Sequence, residues 1–472
     1  MTANVRFSGD IQPNVLAYGH LLAAYSETRN VAEAAAAFQE MQLAGIEPNL
    51  VVYTSLIKTC INARDFQTGW QIFNLIQFKS EATAPDVKTY TLMMHACAMN
   101  DEVERAVDLF KDMTVRKGLT PTAKAYHAVI HACAVRPEYF LEAWKFVTEM
   151  QRAGHPLGIQ TLNVLVQACA RAGDLTRARL LIRHMMASGK PETMPDKFTY
   201  QNLMRAYQLY NCPSSKSATR HQFHSANTIK EYEELFITDN LLVRKESDRS
   251  ADTIPFLKKA VLQTDDEVMD EAGMIISWLR LRNAKIVDTH LMNTYLDVCI
   301  SKKKLTDLKT CNKFDFENPK NPFDPNPQVE EDVEEEDALL DIDPPTVVRN
   351  IHTFTPALYA AVLATDLDFC RLVYADRLAF CKTPDYMREY QQTREKNDFM
   401  AEKYLIDVLA KKELLGEAME RVTILSQEAG IKWRFNDLKT LYTKAIQLDD
   451  MDTVRRVNEL TGHDITVEKP QF

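Results

Sequence analysis

The nine residues "YTLMMHACA" at positions 90–98 return almost unchanged as "YHAVIHACA" at positions 126–134. Both copies place a histidine two residues before a cysteine, and zinc prefers these two ligand types. The same similarity could instead mark a structural repeat, which would change the interpretation of the whole chain. The rest of the sequence distinguishes the two hypotheses.

Related stretches recur along the first part of the chain. Each opens on an aromatic or leucine residue: Tyr18, Tyr53, Tyr90, Tyr126, Leu162 and Tyr200. Each segment ends on a small or polar residue: Asn14, Asn49, Asp86, Thr122, Gly158 and Asp196. The intervals between these ends are 35, 37, 36, 36 and 38 residues, which is the period of a repeat protein.

The second half of each segment carries apolar residues at i, i+3, i+7 and i+10, as at Val31, Ala34, Phe38 and Met41. This spacing places one apolar stripe along one side of an α-helix. Each segment therefore predicts a helix-turn-helix hairpin. Because one hairpin cannot bury its stripe alone, neighbouring hairpins are expected to stack into an all-α solenoid similar to that of tetratricopeptide repeats.

Composition agrees with a helical fold, since 46% of the 472 residues are hydrophobic and only 13 are glycine. The net charge of −10 would argue against nucleic acid, but nine negative residues lie within positions 330–343. The remainder of the chain is nearly neutral. Nine cysteines without a disulfide framework favour a reducing compartment, and no apolar run approaches the roughly 18 residues that span a bilayer.

Four cysteines occupy one equivalent position in successive segments: Cys60, Cys97, Cys133 and Cys169. Other segments place tyrosine there, so we expect these cysteines to pack in the core. Histidines of adjacent segments, such as His95 and His131, are expected about a helix diameter apart, too far for one zinc ion. The repeat is therefore the preferred explanation of the histidine and cysteine pattern.

The stretches "VVYTSLIKTC" at 51–60, "ERAVDLFKDM" at 104–113 and "LNVLVQACARAGDLTRARLLIRHM" at 162–185 resemble the pentatricopeptide repeat family. The resemblance covers positions 15–196 as five units, and a sixth begins at Lys197. It implies a right-handed α-α superhelix. It also implies binding of single-stranded RNA, with one base recognised per repeat.

By this resemblance, two slots in each repeat read a base: the residue after the opening aromatic and the last residue of the repeat. The pairs are Gly19 with Asn49, Thr54 with Asp86, Thr91 with Thr122, His127 with Gly158, and Asn163 with Asp196; Gln201 opens the sixth unit. The pair Thr54/Asp86 is similar to the family's guanine pair and Asn163/Asp196 to its uracil pair. The other three combinations depart from the usual ones, and all of these residues could instead be polar groups on a solvated face.

The second residue of each unit often wedges between bases in the family. The apolar residues Leu16, Val51 and Phe198 match that role, whereas Lys88 and Lys124 are expected to contact phosphates. Arg171 occupies a further position that is often basic and meets phosphate. These residues complete the RNA-binding set that the resemblance implies.

The chain is divided by composition into five parts. We predict a repeat array at 15–210, a Ser- and Asn-rich linker at 211–228, degenerate hairpins at 229–311, a Pro-rich and acidic insert at 312–350, and diverged hairpins at 351–464. The insert is expected to be a disordered, solubilising segment, with RNA mimicry or docking of a basic partner as alternatives. The stretch "GDIQPN" at 9–14 resembles the end of an upstream repeat, so further repeats and a targeting segment are expected before this chain.

No catalytic signature accompanies the repeats. The chain has no H-x-E and no C-x-x-C spacing, as a zinc deaminase requires, and no phosphate-binding glycine motif. We therefore predict a non-enzymatic protein without a cofactor or metal.

The predicted function is sequence-selective binding of single-stranded mRNA or rRNA in an organelle. By resemblance, the location is the mitochondrial matrix and the process is transcript stability, processing or translation. The protein is expected to be a monomer without a membrane span, whose C-terminal half contacts the mitochondrial ribosome or other proteins. The alternative is a protein-binding scaffold, such as a component of the mitochondrial ribosome or of its assembly.

Overall fold

We analysed a computed structural model of the chain. It describes residues 13–79, 83–212, 255–257, 259, 261–314, 316–317, 347–383, 394–428 and 431–462. These residues form two compact units, one up to Pro195 and one from Asp196 onward. Much of the predicted linker and of the predicted acidic insert lies outside the described residues.

The first unit consists of five consecutive helical hairpins. Their helices are α1 (Val15–Thr28), α2 (Val31–Leu43), α3 (Leu50–Asn62), α4 (Phe66–Lys79), α5 (Val87–Met99), α6 (Val103–Lys111), α7 (Ala123–Val135), α8 (Phe140–Arg152), α9 (Ile159–Ala172) and α10 (Leu175–Ala187). A π-helical turn at Asp112–Arg116 extends α6, and 3-10 turns lie at Pro137–Tyr139 and Pro191–Thr193. The five hairpins follow one another directly along the chain.

The odd-numbered helices of the first unit pack side by side in chain order. Helices α2, α4, α6 and α8 each pack against their own partner and the next odd helix, and α10 packs against α9. Paired aromatic rings hold successive repeats together. The ring of Phe73 on α4 lies 5.4 Å from Tyr90 on α5, and Phe110 lies 5.3 Å from Tyr126 in the following interface. The opening aromatic of each unit is therefore a core residue, and a first-helix layer forms one face of this unit.

Left-handed backbone conformations define both kinds of turn. The turn within each of the first three hairpins contains one such residue: Arg29 (φ 57°), Arg64 (φ 63°) and Asp101 (φ 58°). The tail between hairpins uses glycine instead, as at Gly45 and Gly118 (φ 69° and 62°). Since only glycine adopts this region without steric cost, the recurring glycine of the tail has a structural cause.

The second unit contains ten further helices within its described residues. They are α11 (Lys197–Leu209), α12 (Asp265–Asn283), α13 (Thr289–Ser301), α14 (Leu305–Phe314), α15 (Ile351–Ala364), α16 (Leu367–Phe380), α17 (Arg394–Lys411), α18 (Leu415–Glu428), α19 (Lys439–Gln447) and α20 (Met451–Thr461). Turns of 3-10 helix lie at Ala284–Ile286 and Phe435–Asp437. Two short strands, β1 (Phe316–Glu317) and β2 (Val347–Val348), pair in parallel between α14 and α15.

Helix α11 packs against both α12 and α13, although 55 residues separate Leu209 from Asp265. The contact of α11 with α13 matches the contact between consecutive first helices in the first unit, which makes α12 the second helix of this hairpin. Tyr210 OH donates to the carbonyl of Leu262 at 2.7 Å and joins the end of α11 to the segment before α12. The Ser- and Asn-rich stretch therefore falls within a hairpin.

The predicted all-α repeat fold is confirmed by this architecture. The four equivalent cysteines are buried, and burial raises the pKa of the Cys60 thiol to about 11 and that of Cys97 and Cys133 to about 12. They are packing residues, as expected from their repeated position.

Candidate RNA interface

Except at Gly158, the last residue of each predicted repeat caps the first helix of the next repeat. The side chains of Asn14, Asn49, Asp86 and Thr122 each accept a hydrogen bond from the backbone N–H three residues on. Short polar side chains satisfy the free donors of a helix N-terminus in this way. The second predicted base-reading slot therefore has a structural role that the sequence interpretation did not recognise.

The predicted pair Thr54 and Asp86 is brought together through Thr89. Thr54 Oγ1 lies 3.1 Å from Thr89 Oγ1, which donates to Asp86 Oδ1 at 2.7 Å. The same Oδ1 accepts from the Thr89 backbone N–H at 2.8 Å. The cap therefore uses one carboxylate oxygen, and Asp86 Oδ2 has no partner among the described residues.

The pair His127 and Gly158 shows a related contact. His127 Nδ1 lies 3.1 Å from Oγ1 of Thr161, in the first turn of α9 that follows Gly158. Gly158 contributes no side-chain cap. The slot residue of one repeat thus meets the third helical residue of the next repeat at two places in the first unit.

The pairs Gly19 with Asn49 and Thr91 with Thr122 show no such contact among the described residues. Gly19 has no side chain to meet Asn49, and the hydroxyl of Thr91 donates to the Val87 carbonyl at 2.6 Å. Asn163 and Asp196 fall in different units. Asp196 forms a capping box with Thr199 at the start of α11, and Gln201 on the same helix is only 9% exposed.

The second unit contains slot residues that the sequence interpretation missed. Asp288 caps α13 and Asn350 caps α15, so both occupy the repeat-end position. Asn293 Nδ2 donates to Asn350 Oδ1 at 3.1 Å, while its own Oδ1 is buried without a hydrogen-bond partner in the described part of the chain. The signal that could have identified them is a cap residue directly before an apolar helix start.

The second residues of the repeats lie on the surface, as the wedge and phosphate predictions require. Leu16, Val51 and Phe198 are 67%, 63% and 55% exposed. Lys88 and Lys124 are exposed at the equivalent positions of α5 and α7, and neither ammonium group meets a carboxylate among the described residues. Apolar and cationic side chains thus stand at equivalent places, although their role in RNA binding stays a prediction.

Arg171 has a structural partner. Its guanidinium donates to the carbonyl oxygens of Ala134 and Val135 at 3.0 and 3.2 Å. These carbonyls end α7, where helix C-termini leave acceptors unsatisfied. Arg171 therefore joins two consecutive first helices, and any phosphate contact would be additional to this one.

Three histidines cluster on α5 and α7. The ring centroid of His131 lies 5.9 Å from that of His95 and 6.1 Å from that of His127. The expected separation of a helix diameter was therefore wrong, because the side chains lean toward each other across the helix contact. Burial, followed by the neighbouring His127, His95 and Arg171, lowers the pKa of His131 to about 4.

These histidines do not form a metal centre with other ligands. No three His, Cys, Asp or Glu side chains converge on a possible metal position within the part of the chain that the structure describes. The same described residues include no helix that is both long enough and apolar enough to cross a bilayer.

Toward the C-terminus, the first slot holds cations that have local partners. Lys403 Nζ lies 3.8 Å from Asp437 Oδ1, and the Arg434 backbone N–H donates to the other carboxylate oxygen of Asp437 at 3.1 Å. These contacts tie α17 to the turn before α19. The diverged repeats therefore use the slot for packing between hairpins.

A layer of first helices, a cap at each repeat end and an exposed second residue define a helical-repeat protein with one contact position per repeat. Positions 8–63, 85–135 and 112–185 match family models described as "Pentatricopeptide repeat domain", "PPR repeat family" and "Pentatricopeptide repeat-containing protein". Positions 8–63 and 85–185 therefore carry pentatricopeptide repeats.

Several curated proteins match most of the chain. A mitochondrial 15S rRNA processing factor from Clavispora lusitaniae is 26% identical over 91% of this chain and 59% of its own length. Proteins with the same description from Komagataella phaffii and Schizosaccharomyces japonicus are 24% and 23% identical, over 94% and 95% of this chain and 62% and 64% of their own lengths. The chain thus spans about three fifths of these relatives.

Solved structures also match. The crystal structure of a pentatricopeptide repeat protein from maize covers 95% of this chain and 60% of its own, with 14% identity and a TM-score of 0.47. The structure of that protein with an 18-nucleotide RNA element covers 95% and 64%, with a TM-score of 0.38.

Proposed function

We propose that the chain binds single-stranded RNA along the first-helix layer as a sequence-selective, non-catalytic factor for a mitochondrial ribosomal RNA. The observation that carries the proposal is the Thr54–Thr89–Asp86 contact, which leaves the exposed Asp86 with one carboxylate oxygen that no described residue engages. A free carboxylate oxygen beside a hydroxyl can accept hydrogen bonds from the Watson–Crick edge of a base. The relatives' description as mitochondrial 15S rRNA processing factors supports the choice of RNA and compartment.

The electrostatics of the layer support a backbone contact beside the base contact. Lys88 and Lys124 lie on the neighbouring first helices α5 and α7, at the position where Leu16 and Val51 expose apolar surface, and no described carboxylate pairs with either ammonium group. Lysines pair with phosphates and exposed apolar side chains stack on bases, a combination typical of single-strand binders. The protein would then hold the RNA extended for other factors to process, and we extend the proposal to a monomer in the mitochondrial matrix.

The test is binding of the purified chain to short single-stranded segments tiled across a mitochondrial small-subunit rRNA precursor, measured by fluorescence anisotropy against salt. The double variant Lys88→Glu, Lys124→Glu should lose affinity for all segments. Its log–log salt slope should become shallower by about 0.7 per contact removed, as expected for single strands. Lys145→Glu on α8 is the matched control, because Lys145 is 70% exposed on a second helix.

A result in which the double variant and the control bind RNA equally would remove the first-helix layer as the RNA site. The alternative of a protein-binding scaffold would then be preferred. The specific observation in its favour is that Lys403, in a diverged first slot of the second unit, is engaged by Asp437. Co-purification with mitochondrial ribosomal proteins after ribonuclease treatment would distinguish that outcome.

A further inference from the structure

A cleft between α4 and α6 lies on the second-helix side of the first unit, outside the proposed RNA interface. It has a volume of about 400 Å³ and is open to solvent. Its walls include Trp70 and Phe78 from α4, and Arg105, Asp108, Arg116 and Lys117 from α6 and the following turn. We call it the α4–α6 cleft.

The aromatic side chains of the cleft are available to a ligand. Phe78 is 86% exposed, although phenylalanine is usually buried. Trp70 is half-buried, and the guanidinium of Arg105 lies 4.9 Å from its ring centroid. An exposed aromatic beside a partly filled apolar recess is typical of a surface that receives a side chain from a partner.

Phe78 is one member of a row of exposed apolar residues. Leu43, Phe78 and Val115 each follow the last buried stripe residue of their repeat by two positions, and they are 90%, 86% and 79% exposed. The next two repeats place Arg152 and Ala187 at this position. The row is thus confined to the first three repeats, so it is not a requirement of the hairpin fold.

The spacing of the row fits a helix. Stacked helices lie about 8–10 Å apart, and seven residues of an α-helix rise roughly 10.5 Å. Large apolar side chains at i, i+7 and i+14 of a bound helix would therefore meet successive repeats. The π-helical turn at Asp112–Arg116 shifts the end of α6 at this point, and such turns often occur at functional sites.

The charges beside the cleft select the chemistry of the partner. Asp112 is engaged by Tyr90 OH at 2.5 Å and by Arg116 at 3.3 Å, while Arg116 remains 81% exposed. Lys117 has no side-chain partner among the described residues. The cleft therefore presents the cations Arg116 and Lys117 to a ligand, although Asp108 among its lining residues would oppose a uniformly anionic surface such as a lipid bilayer.

We propose that the α4–α6 cleft and its apolar row dock an amphipathic helix of a protein partner, with a large apolar anchor in the cleft and acidic residues beside it. This surface is separate from the first-helix layer. An RNA-bound chain could therefore hold its partner at the same time, independently of the proposed RNA function.

The probe is a synthetic helical peptide with leucine or phenylalanine at seven-residue intervals and glutamate beside each, compared with a peptide in which lysine replaces each glutamate. Binding to the full chain is measured by fluorescence anisotropy. We expect the acidic peptide to bind, and Phe78→Ser to weaken it about tenfold or more, as for a hot-spot anchor. Lys117→Glu should weaken the acidic peptide and improve the basic one.

Two exposed residues of α8 supply matched controls. Leu141 is 54% exposed and Lys145 is 70% exposed, so Leu141→Ser and Lys145→Glu change the same chemistry away from the cleft and should leave peptide affinity unchanged. RNA affinity should stay constant in all four variants. A loss of RNA binding in Phe78→Ser would instead mean that the cleft belongs to the RNA interface and would overturn the separate docking surface.

Other results would also overturn the proposal. The proposal fails if the acidic and basic peptides bind equally well, and it also fails if Phe78→Ser leaves the affinity for the acidic peptide unchanged. Binding to phosphatidylcholine–cardiolipin vesicles that both Phe78→Ser and Lys117→Glu abolish would assign the surface to a membrane. A concentration-dependent dimer lost in Phe78→Ser would assign it to a second copy, and higher peptide affinity after deletion of residues 330–343 would assign it to the chain's own acidic run.

Discussion

Thr54 Oγ1 lies 3.1 Å from Thr89 Oγ1, across the boundary between two repeats. Thr54 also approaches the Leu50 carbonyl at 2.8 Å, and Thr89 donates to Asp86. The two hydroxyl groups have only two protons for these three contacts. The Thr54 hydroxyl can therefore donate either to the Leu50 carbonyl or to Thr89 Oγ1. This contact couples the residue proposed to read a base to the cap that holds the next helix.

Replacement of Asp86 separates its two proposed roles. Asparagine caps a helix as well as aspartate does, so Asp86→Asn should leave the free energy of unfolding nearly unchanged. It exchanges a free carboxylate oxygen for an amide donor, so the preferred base should change at a single RNA position. The measurements are urea unfolding and selection of bound RNA from a randomised pool.

The control is Asp86→Ala, which removes cap and carboxylate together. It should lower the free energy of unfolding by about 1 kcal/mol and reduce selectivity at the same position. An Asp86→Asn protein with unaltered base selection would show that Asp86 serves α5 alone.

Gly158 occupies a cap position without a side chain, and substitution there should stabilise the protein. Its backbone is extended (φ −83°), and a Cβ would meet nothing within 4 Å. Gly158→Asp should therefore raise the free energy of unfolding by roughly 0.5–1 kcal/mol, by adding a cap and reducing unfolded-state entropy. Thermal unfolding monitored by circular dichroism measures the change.

Gly118→Ala is the opposite case, because Gly118 has φ 62° with equally open surroundings. Only the backbone conformation penalises the new Cβ, at about 1 kcal/mol. If Gly158→Asp and Gly118→Ala lowered the free energy of unfolding equally, this would contradict an extended backbone at Gly158 and a left-handed one at Gly118.

The sequence predicted the hairpins well because their apolar stripe and tail signals are local. Val31 and Met41, for example, belong to the apolar stripe of a single helix, so their spacing alone specifies which face of that helix is buried. The contacts that form the site are not local. Thr54 and Thr89 are 35 residues apart, and Asn293 meets Asn350 across an insert that interrupts the period. A period-based search loses register at this insert and at the 55 residues between α11 and α12, so Asn350 and Asp288 were missed.

His131 should make stability depend on pH in the acidic range. Its folded-state pKa is lowered to about 4, chiefly by burial, whereas an unfolded histidine titrates near 6.5. Between these values the unfolded chain binds more protons, so the unfolding free energy rises with pH. The contribution of this histidine is complete above about 6.5 and is lost as pH falls toward about 4.

The measurement is urea unfolding at several pH values in the native chain and in His131→Gln, which should be less sensitive across this window. His20→Gln, a change at an exposed histidine of α1, is the control and should retain the full pH dependence. Proton NMR of the His131 ring should show titration well below that of an exposed histidine. A ring that titrates near 6.5 would contradict the buried cluster with His95 and His127.

The cysteines provide a chemical test of the packed repeat core. All nine lie in the described part of the chain, and eight of them are buried, whereas Cys381 is partly exposed. Burial raises the pKa of Cys97 and Cys133 to about 12, so almost no reactive thiolate is present near neutral pH.

A maleimide reagent should therefore modify the native chain first at Cys381, and the other eight cysteines should react only as the repeats unfold. Intact-mass spectrometry should show one rapid addition in buffer and nine in denaturant, with the rapid addition absent from Cys381→Ser. Fast native modification of Cys97 or Cys133 would mean that the α5–α7 interface opens readily. The fixed spacing between neighbouring slots, which the proposed sequence-selective RNA binding requires, would then be lost.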